Sequence, residues 1–141
     1  MSDAHKIEGQ CLCGAVTVTA MVTDPKLRAC HCDMCNRHTG GPFFSVNADP
    51  ATVQVSGTPA TYRSSDWAER GFCATCGSTL WYATVHDGAR HLSAGLFDNA
   101  AGGTLAIEFF ADACPQGYAL AGSHKKLTTP ETIALFAPDE G

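Results

Sequence analysis

The chain has 141 residues, 45% of them hydrophobic, and no apolar run near the roughly 18 residues of a membrane span, so a single soluble domain over 1–141 is expected. A formal net charge of −5, with 9 Lys and Arg against 14 Asp and Glu, argues against a phosphate-gripping nucleic-acid surface. The opening MSDAHKIEGQ has neither the basic nor the apolar region of a secretory signal; in the cytoplasm thus expected, 8 cysteines read as metal ligands rather than a disulfide framework.

In chain order, the first thiol pair, Cys11 and Cys13 in GQCLCGAV, runs straight into a period-two stretch. Val16, Val18, Ala20 and Val22 fall on one side and Thr17, Thr19 and Met21 on the other, which predicts a half-buried strand over Ala15 to Val22. A turn at Asp24 and Pro25 and an extended run, Lys26 to Ala29, lead into CHCDMCNRHTGG. Asn36 to Thr39 can form one helical turn there, stopped by Gly40, Gly41 and Pro42. Phe43 to Val46, Thr52 to Ser56 and Ala60 to Arg63 read as strands. Trp67 to Phe72 enters the pair Cys73 and Cys76, and Ser78 to Val85 leaves it. His86, Asp87 and Gly88 predict a hairpin turn returning through Arg90 to Leu96. Ile107 to Phe110 is a further strand, and Glu131 to Leu135 one turn of helix. Many short strands and little 3.6-residue periodicity predict an all-β, β-dominated fold of several small sheets stapled by zinc.

Seven clustered thiols cannot make two closed tetrahedral zinc sites. Structural zinc takes four protein ligands and reactive zinc keeps a position open, so four plus three is the natural division. Cys13–Gly14 and Cys76–Gly77 both precede a strand, and a glycine after the second thiol lets backbone amides fold back toward sulfur. Cys11, Cys13, Cys73 and Cys76 are therefore assigned to a structural zinc, and Cys30, Cys32 and Cys35 to a second zinc with one corner open. His38, three residues past Cys35, or His31 could close that corner, and the protein would then be a non-catalytic zinc scaffold or interaction module. Three thiolates against a divalent ion leave a weak Lewis acid, better suited to receiving a small thiol than to activating water.

The ordered set GQCLCGAV, CHCDMCNRHTG, SDWAERGFCATCGSTL and SAGLFD, from about Gly9 to Asp98, resembles the glutathione-dependent formaldehyde-activating enzyme family, which includes centromere protein V. The resemblance implies coiled antiparallel sheets, two zinc ions on the two cysteine sets named above, and a carbon–sulfur lyase joining glutathione to formaldehyde as S-(hydroxymethyl)glutathione. Members often carry His-Ile-Phe-Val and then a Trp in the C-terminal third; here Glu108, Phe109, Phe110 and Ala111 stand there, followed by CPQGY.

Arg37 and Arg70 flank thiol groups and could hold a substrate carboxylate, or serve as ordinary structural arginines. Cys114 reads as a spectator. Trp67, Trp81, Phe72 and Tyr82 read as core, and His5, His86, His91 and His124 as surface.

Overall fold

A computed structural model describes residues 3–136. The elements in order are β1 (His5–Gln10), β2 (Thr17–Val22), β3 (Lys26–Cys30), α1 (Asp33–Thr39), β4 (Phe43–Val46), β5 (Gln54–Ser56), β6 (Pro59–Arg63), β7 (Ala68–Cys73), β8 (Thr79–Thr84), β9 (Arg90–Leu92), β10 (Thr104–Phe109), β11 (Lys125–Lys126) and α2 (Thr129–Phe136). The protein is thus mostly β, built from three small sheets. It divides into two compact units, Met1–Leu27 with Phe44–Thr104, and Arg28–Phe43 with Leu105–Gly141.

In the first unit, β1, β2 and β5 form an antiparallel sheet in that order. The alternation read from the sequence holds: Val16, Val18, Ala20 and Val22 are all buried. Strand β1, which pairs with β2 from His5↔Val22 to Gln10↔Thr17, carries no such pattern, because Ile7 is its sole buried residue and His5, Lys6, Glu8 and Gln10 are exposed. The strand over Thr52 to Ser56 shortens to β5, since Pro50–Thr52 is a 3-10 turn capped by the Asp49 carboxylate on the Ala51 amide at 3.0 Å.

A second antiparallel sheet runs β6-β7-β8-β9. The expected hairpin turn joins β8 to β9: the Gly88 amide donates to Thr84 O at 2.8 Å, and Asp87 accepts from the Thr84 hydroxyl and, at 3.0 Å, from the Ala89 amide. The return strand ends at Leu92, beyond which Ala94–Leu96 winds into a 3-10 turn. Leu80, Trp81, Ala83 and Leu92 join Ile7, Val16, Val18, Val46 and Phe97 in one core. Trp67 is an exception to the core reading, at 57% exposed: it sits in the bend before β7 and contributes its carbonyl, to the Val85 amide at 2.9 Å, rather than its ring.

In the second unit β3, β10 and β11 lie side by side, with β10 in the middle. The β10–β11 pair is parallel, Ile107↔Lys125 and Glu108↔Lys126, where antiparallel sheets were expected. The residues between them carry the chain back to re-enter in the same direction, which a tight hairpin cannot do. Helix α1 starts three residues earlier than read, because Cys32 itself caps it. Helix α2 runs from Thr129, with Thr132 buried, its hydroxyl donating to Thr128 O at 2.8 Å and accepting from the Phe110 amide at 3.0 Å.

Gly71 of β7 faces Trp81 so closely that an added Cβ would stand 2.2 Å from the indole. Gly71→Ala should therefore lower unfolding free energy by at least about 2 kcal/mol in urea titration, as overpacking a closed core does. Gly95→Ala, where nothing lies within 4 Å, should stay within about 0.5 kcal/mol of the parent. Equal midpoints for the two would contradict this packing.

Candidate metal centres

Two short thiol turns meet in the first unit. In each, the first cysteine amide donates to a carbonyl beyond the turn, Cys11 to Val16 O at 3.0 Å and Cys73 to Ser78 O at 2.9 Å. In each, the following glycine amide returns to that first cysteine's carbonyl, Gly14 to Cys11 O at 3.1 Å and Gly77 to Cys73 O at 2.9 Å. Gly14 and Gly77 have φ of 80° and 79°, a left-handed geometry that L side chains resist, so the glycines are what let both turns close.

Backbone amides then aim at sulfur: Val16 at Cys11 Sγ, 3.3 Å, and Thr75 and Cys76 at Cys73 Sγ, both 3.4 Å. Ser78 bridges the two turns. Its hydroxyl accepts from the Leu12 amide at 3.0 Å and lies 3.2 Å from Cys76 Sγ, so one side chain holds both knuckles. With the Ser78 hydroxyl as first cause and the backbone amides of Ser78 and Cys13 behind it, the Cys76 thiol is drawn down to about 5.

The four sulfurs lie within 4.8 Å of one another, Cys11 to Cys13 at 3.7 Å and Cys13 to Cys73 at 3.8 Å. A disulfide needs about 2.05 Å, whereas four sulfurs about 2.3 Å from one tetrahedral zinc stand about 3.8 Å apart. The set fits such an ion, with Cys11 and Cys73 buried and Cys13 exposed. Sulfur crowding shows at Cys13: the Ala15 amide draws the thiol down, but burial and the sulfurs of Cys76, Cys11 and Cys73 outweigh it and push it up to about 11.

The second set lies where β3 ends and α1 begins. Cys32 is the N-cap of α1, its sulfur accepting from the Cys35 amide at 3.4 Å, and the Asn36 amide donates to Cys32 O at 2.9 Å. Asn36 Nδ2 donates to His31 O at 3.1 Å, and Thr39 Oγ1 to Cys35 O at 2.9 Å. The three sulfurs of Cys30, Cys32 and Cys35 lie within 4.8 Å of one another; among the described residues no imidazole nitrogen joins that group, so neither His31 nor His38 does. Hydrogen bonds with Cys32 and Cys35, then burial, push the Cys30 thiol up: three adjacent sulfurs do not all ionise without a cation among them. Both sets could therefore hold a metal ion.

His31 turns to another partner. Its Nε2 lies 2.6 Å from Glu108 Oε1, and the second oxygen of that carboxylate contacts His124 Nε2. The reading of His124 as a surface residue is corrected, since its ring is fully covered. The signal for this cluster was a charge inside an apolar run, Glu108 between Ile107 and Phe109; its partners, 77 and 16 residues away, carry no local mark. Ser78 was missed similarly, one residue past CG. Arg37 is exposed on α1, whereas Arg70 is 2% exposed with its guanidinium 4.7 Å above the Tyr82 ring. Cys114 Sγ donates to Tyr118 O at 3.6 Å and belongs to neither set.

A family model described as glutathione-dependent formaldehyde-activating enzyme matches residues 6–113. The chain is 34% identical over 129 residues to an uncharacterized lyase of Schizosaccharomyces pombe, covering 89% of this chain and 93% of that protein. It is 33% identical over 85 residues to a Halomonas elongata protein provisionally named as a glutathione-dependent formaldehyde-activating enzyme, covering 53% of this chain and 54% of that one. A crystal structure of a Rhodobacter sphaeroides protein shares the fold, with a TM-score of 0.54 at 17% identity, covering 86% of this chain and 100% of that one.

The two sets should respond differently to loss of a sulfur. Cys73→Ser is expected to remove one metal equivalent and the far-ultraviolet signature of folded protein, because a structural zinc contributes about 10 to 16 kcal/mol against a whole-domain stability of about 5 to 15 kcal/mol. Cys32→Ser should remove the other equivalent and leave the first unit folded. Native mass spectrometry with circular dichroism decides, and two bound ions in Cys73→Ser would refute the assignment.

Proposed function

This chain belongs to the glutathione-dependent formaldehyde-activating enzyme family, and from that premise we propose that it is a carbon–sulfur lyase joining a small thiol, glutathione first, to a small aldehyde, formaldehyde first. The observation that carries this reading is the inequality of the two cysteine sets. Four sulfurs converge as a closed ligand set, while Cys30, Cys32 and Cys35 converge as three and the nearby His31 is held by Glu108.

Cys11, Cys13, Cys73 and Cys76 would hold a structural zinc, and Cys30, Cys32 and Cys35 a second. When bound there, the second ion would supply a cation matched to sulfur, bringing a visiting thiol's pKa below its free value of about 8.5. The chain's own part is placement. Cys32 and Cys35 are locked by the cap of α1, so the donor set is presented from one turn rather than assembled from distant loops. In the addition, the thiol sulfur bonds to the carbonyl carbon, the C=O π bond opens onto oxygen, and the proton lost from sulfur is balanced by one gained at that oxygen. The reverse step returns thiol and aldehyde.

Glutathione brings two carboxylates. Arg37, exposed in the last turn of the helix that carries Cys35, is the better placed of the two candidate arginines to meet one of them. The buried Arg70, stacked on Tyr82, would have to leave that ring to do so. Eight cysteines without a disulfide suit a reducing compartment, the cytoplasm, and no described helix is long and apolar enough to cross a membrane.

Zinc-loaded protein mixed with glutathione and formaldehyde should speed exchange into S-(hydroxymethyl)glutathione, followed by two-dimensional exchange NMR. Cys32→Ser should reduce the enzyme-dependent rate by at least about a hundredfold, and Arg37→Glu should raise KM for glutathione several-fold with little change in kcat. A folded chain with both ions and only the uncatalysed exchange rate would be a zinc scaffold instead.

A further inference from the structure

Glu108 is 3% exposed, and the side chains of His31 and His124 that meet its two oxygens are 0% exposed. Both contacts use Nε2, and each Nδ1 is buried without a hydrogen-bond partner, so the acceptor-only carboxylate sets both rings as Nε2–H donors. A carboxylate this dry is sustained only when each oxygen is partnered. The backbone reinforces the arrangement. The His31 amide donates to Phe109 O at 3.1 Å, fixing the end of β3 beside β10, and the Leu127 amide donates to Glu108 O at 2.9 Å, fixing the end of β11 on the other side.

The consequence lies in where His31 stands, between Cys30 and Cys32 with its ring drawn into the interior. The same clasp takes in the segment between β10 and β11: His124 closes that segment, and its Tyr118 ring lies 6.5 Å from the His31 ring. We propose that Glu108 is a positioning residue for the three-cysteine turn: by holding His31 on one oxygen and His124 on the other it fixes the backbone between Cys30 and Cys32, presetting the spacing of the three sulfurs before an ion arrives. This deepens the reading above and rests on Cys30, Cys32 and Cys35 being a metal site. Glu108 belongs to neither sulfur group, so its part is to act through His31, as outer carboxylates do when they fix the orientation of metal-ligand segments.

The test uses the full chain loaded with Co(II), whose thiolate charge-transfer and d–d bands report each donor set, and a chromophoric chelator to time release. Glu108→Gln keeps the volume but removes the charge and one acceptor. His124→Gln leaves the His31 contact and loosens the returning segment, and it carries the test should Glu108→Gln not fold. Asp112→Ala, which removes the carboxylate that accepts from Thr129 N and Oγ1, both at 2.8 Å, is a stability control in the same unit away from the clasp.

Glu108→Gln should retain the four-sulfur bands, shift those of the three-sulfur set and release that ion at least about tenfold faster, the low end for groups that orient metal ligands. His124→Gln should move both readouts in the same direction by less, and Asp112→Ala should match the parent in both whatever its Tm. Parent-like bands and release in both clasp variants would overturn the inference, as would changes in Asp112→Ala as large as those in Glu108→Gln. A parent chain that takes up one cobalt only would overturn this inference and the proposed activity together. A parent with two ions, a sensitive Glu108→Gln and no thiol–aldehyde exchange would leave Glu108 in its role and remove the activity alone.

Discussion

Like charges at close range organise this protein. Thiolates a few ångströms apart repel one another, and the chain nonetheless brings four together in one place and three in another. Such convergence is stable only with a positive ion at the centre or with protons retained, which is the physical sense of the raised Cys13 and Cys30 thiols. The first unit answers the repulsion with amides aimed at sulfur and with Ser78, so the knuckle before β2 and the knuckle before β8 are joined even at their polar groups. Cys11 and Cys73 are themselves members of the core of this unit, which is built largely from Val, Ala and Leu.

The second unit answers differently. Its three sulfurs come from one turn, where sequence proximity alone guarantees that they are near, and what must be controlled is orientation. The Cys32 cap and the amide of Asn36 fix the helix side of the turn, and Glu108, through His31, fixes the strand side. A short helix of little intrinsic stability thereby has its N-terminal end tied down, locally by the Cys32 cap and at long range by the His31–Glu108 contact just before it.

Much of this was legible in the chain itself, and the reason is locality. The valine alternation of β2, the hairpin turn at Asp87 and Gly88, and the two CG knuckles are all written within a few consecutive residues, so period and spacing reveal them. The cysteine partition was readable because thiols are rare and their spacings regular. Strand β1 was not legible, since it borrows its order from β2 and shows one buried side chain. Nor was the parallel entry of β11, which rests on two residue pairs. Glu108 and its two imidazoles fall in a third category: an acid inside an apolar strand signals a buried partner, but only the fold says that the partners are His31 and His124.

The exposure of Cys13 sets the four-sulfur centre apart from a sealed one. Three of its corners are at least partly shielded, and the fourth faces solvent beside Leu12, itself 88% exposed at the tip of its knuckle. Access and ionisation therefore fall on different sulfurs: Cys13 is the one a reagent reaches most easily, but its thiol is pushed up, whereas the half-buried Cys76 is the one drawn down toward thiolate. Exposure without ionisation at one corner, and ionisation without full exposure at another, is a division that leaves neither sulfur both open and reactive.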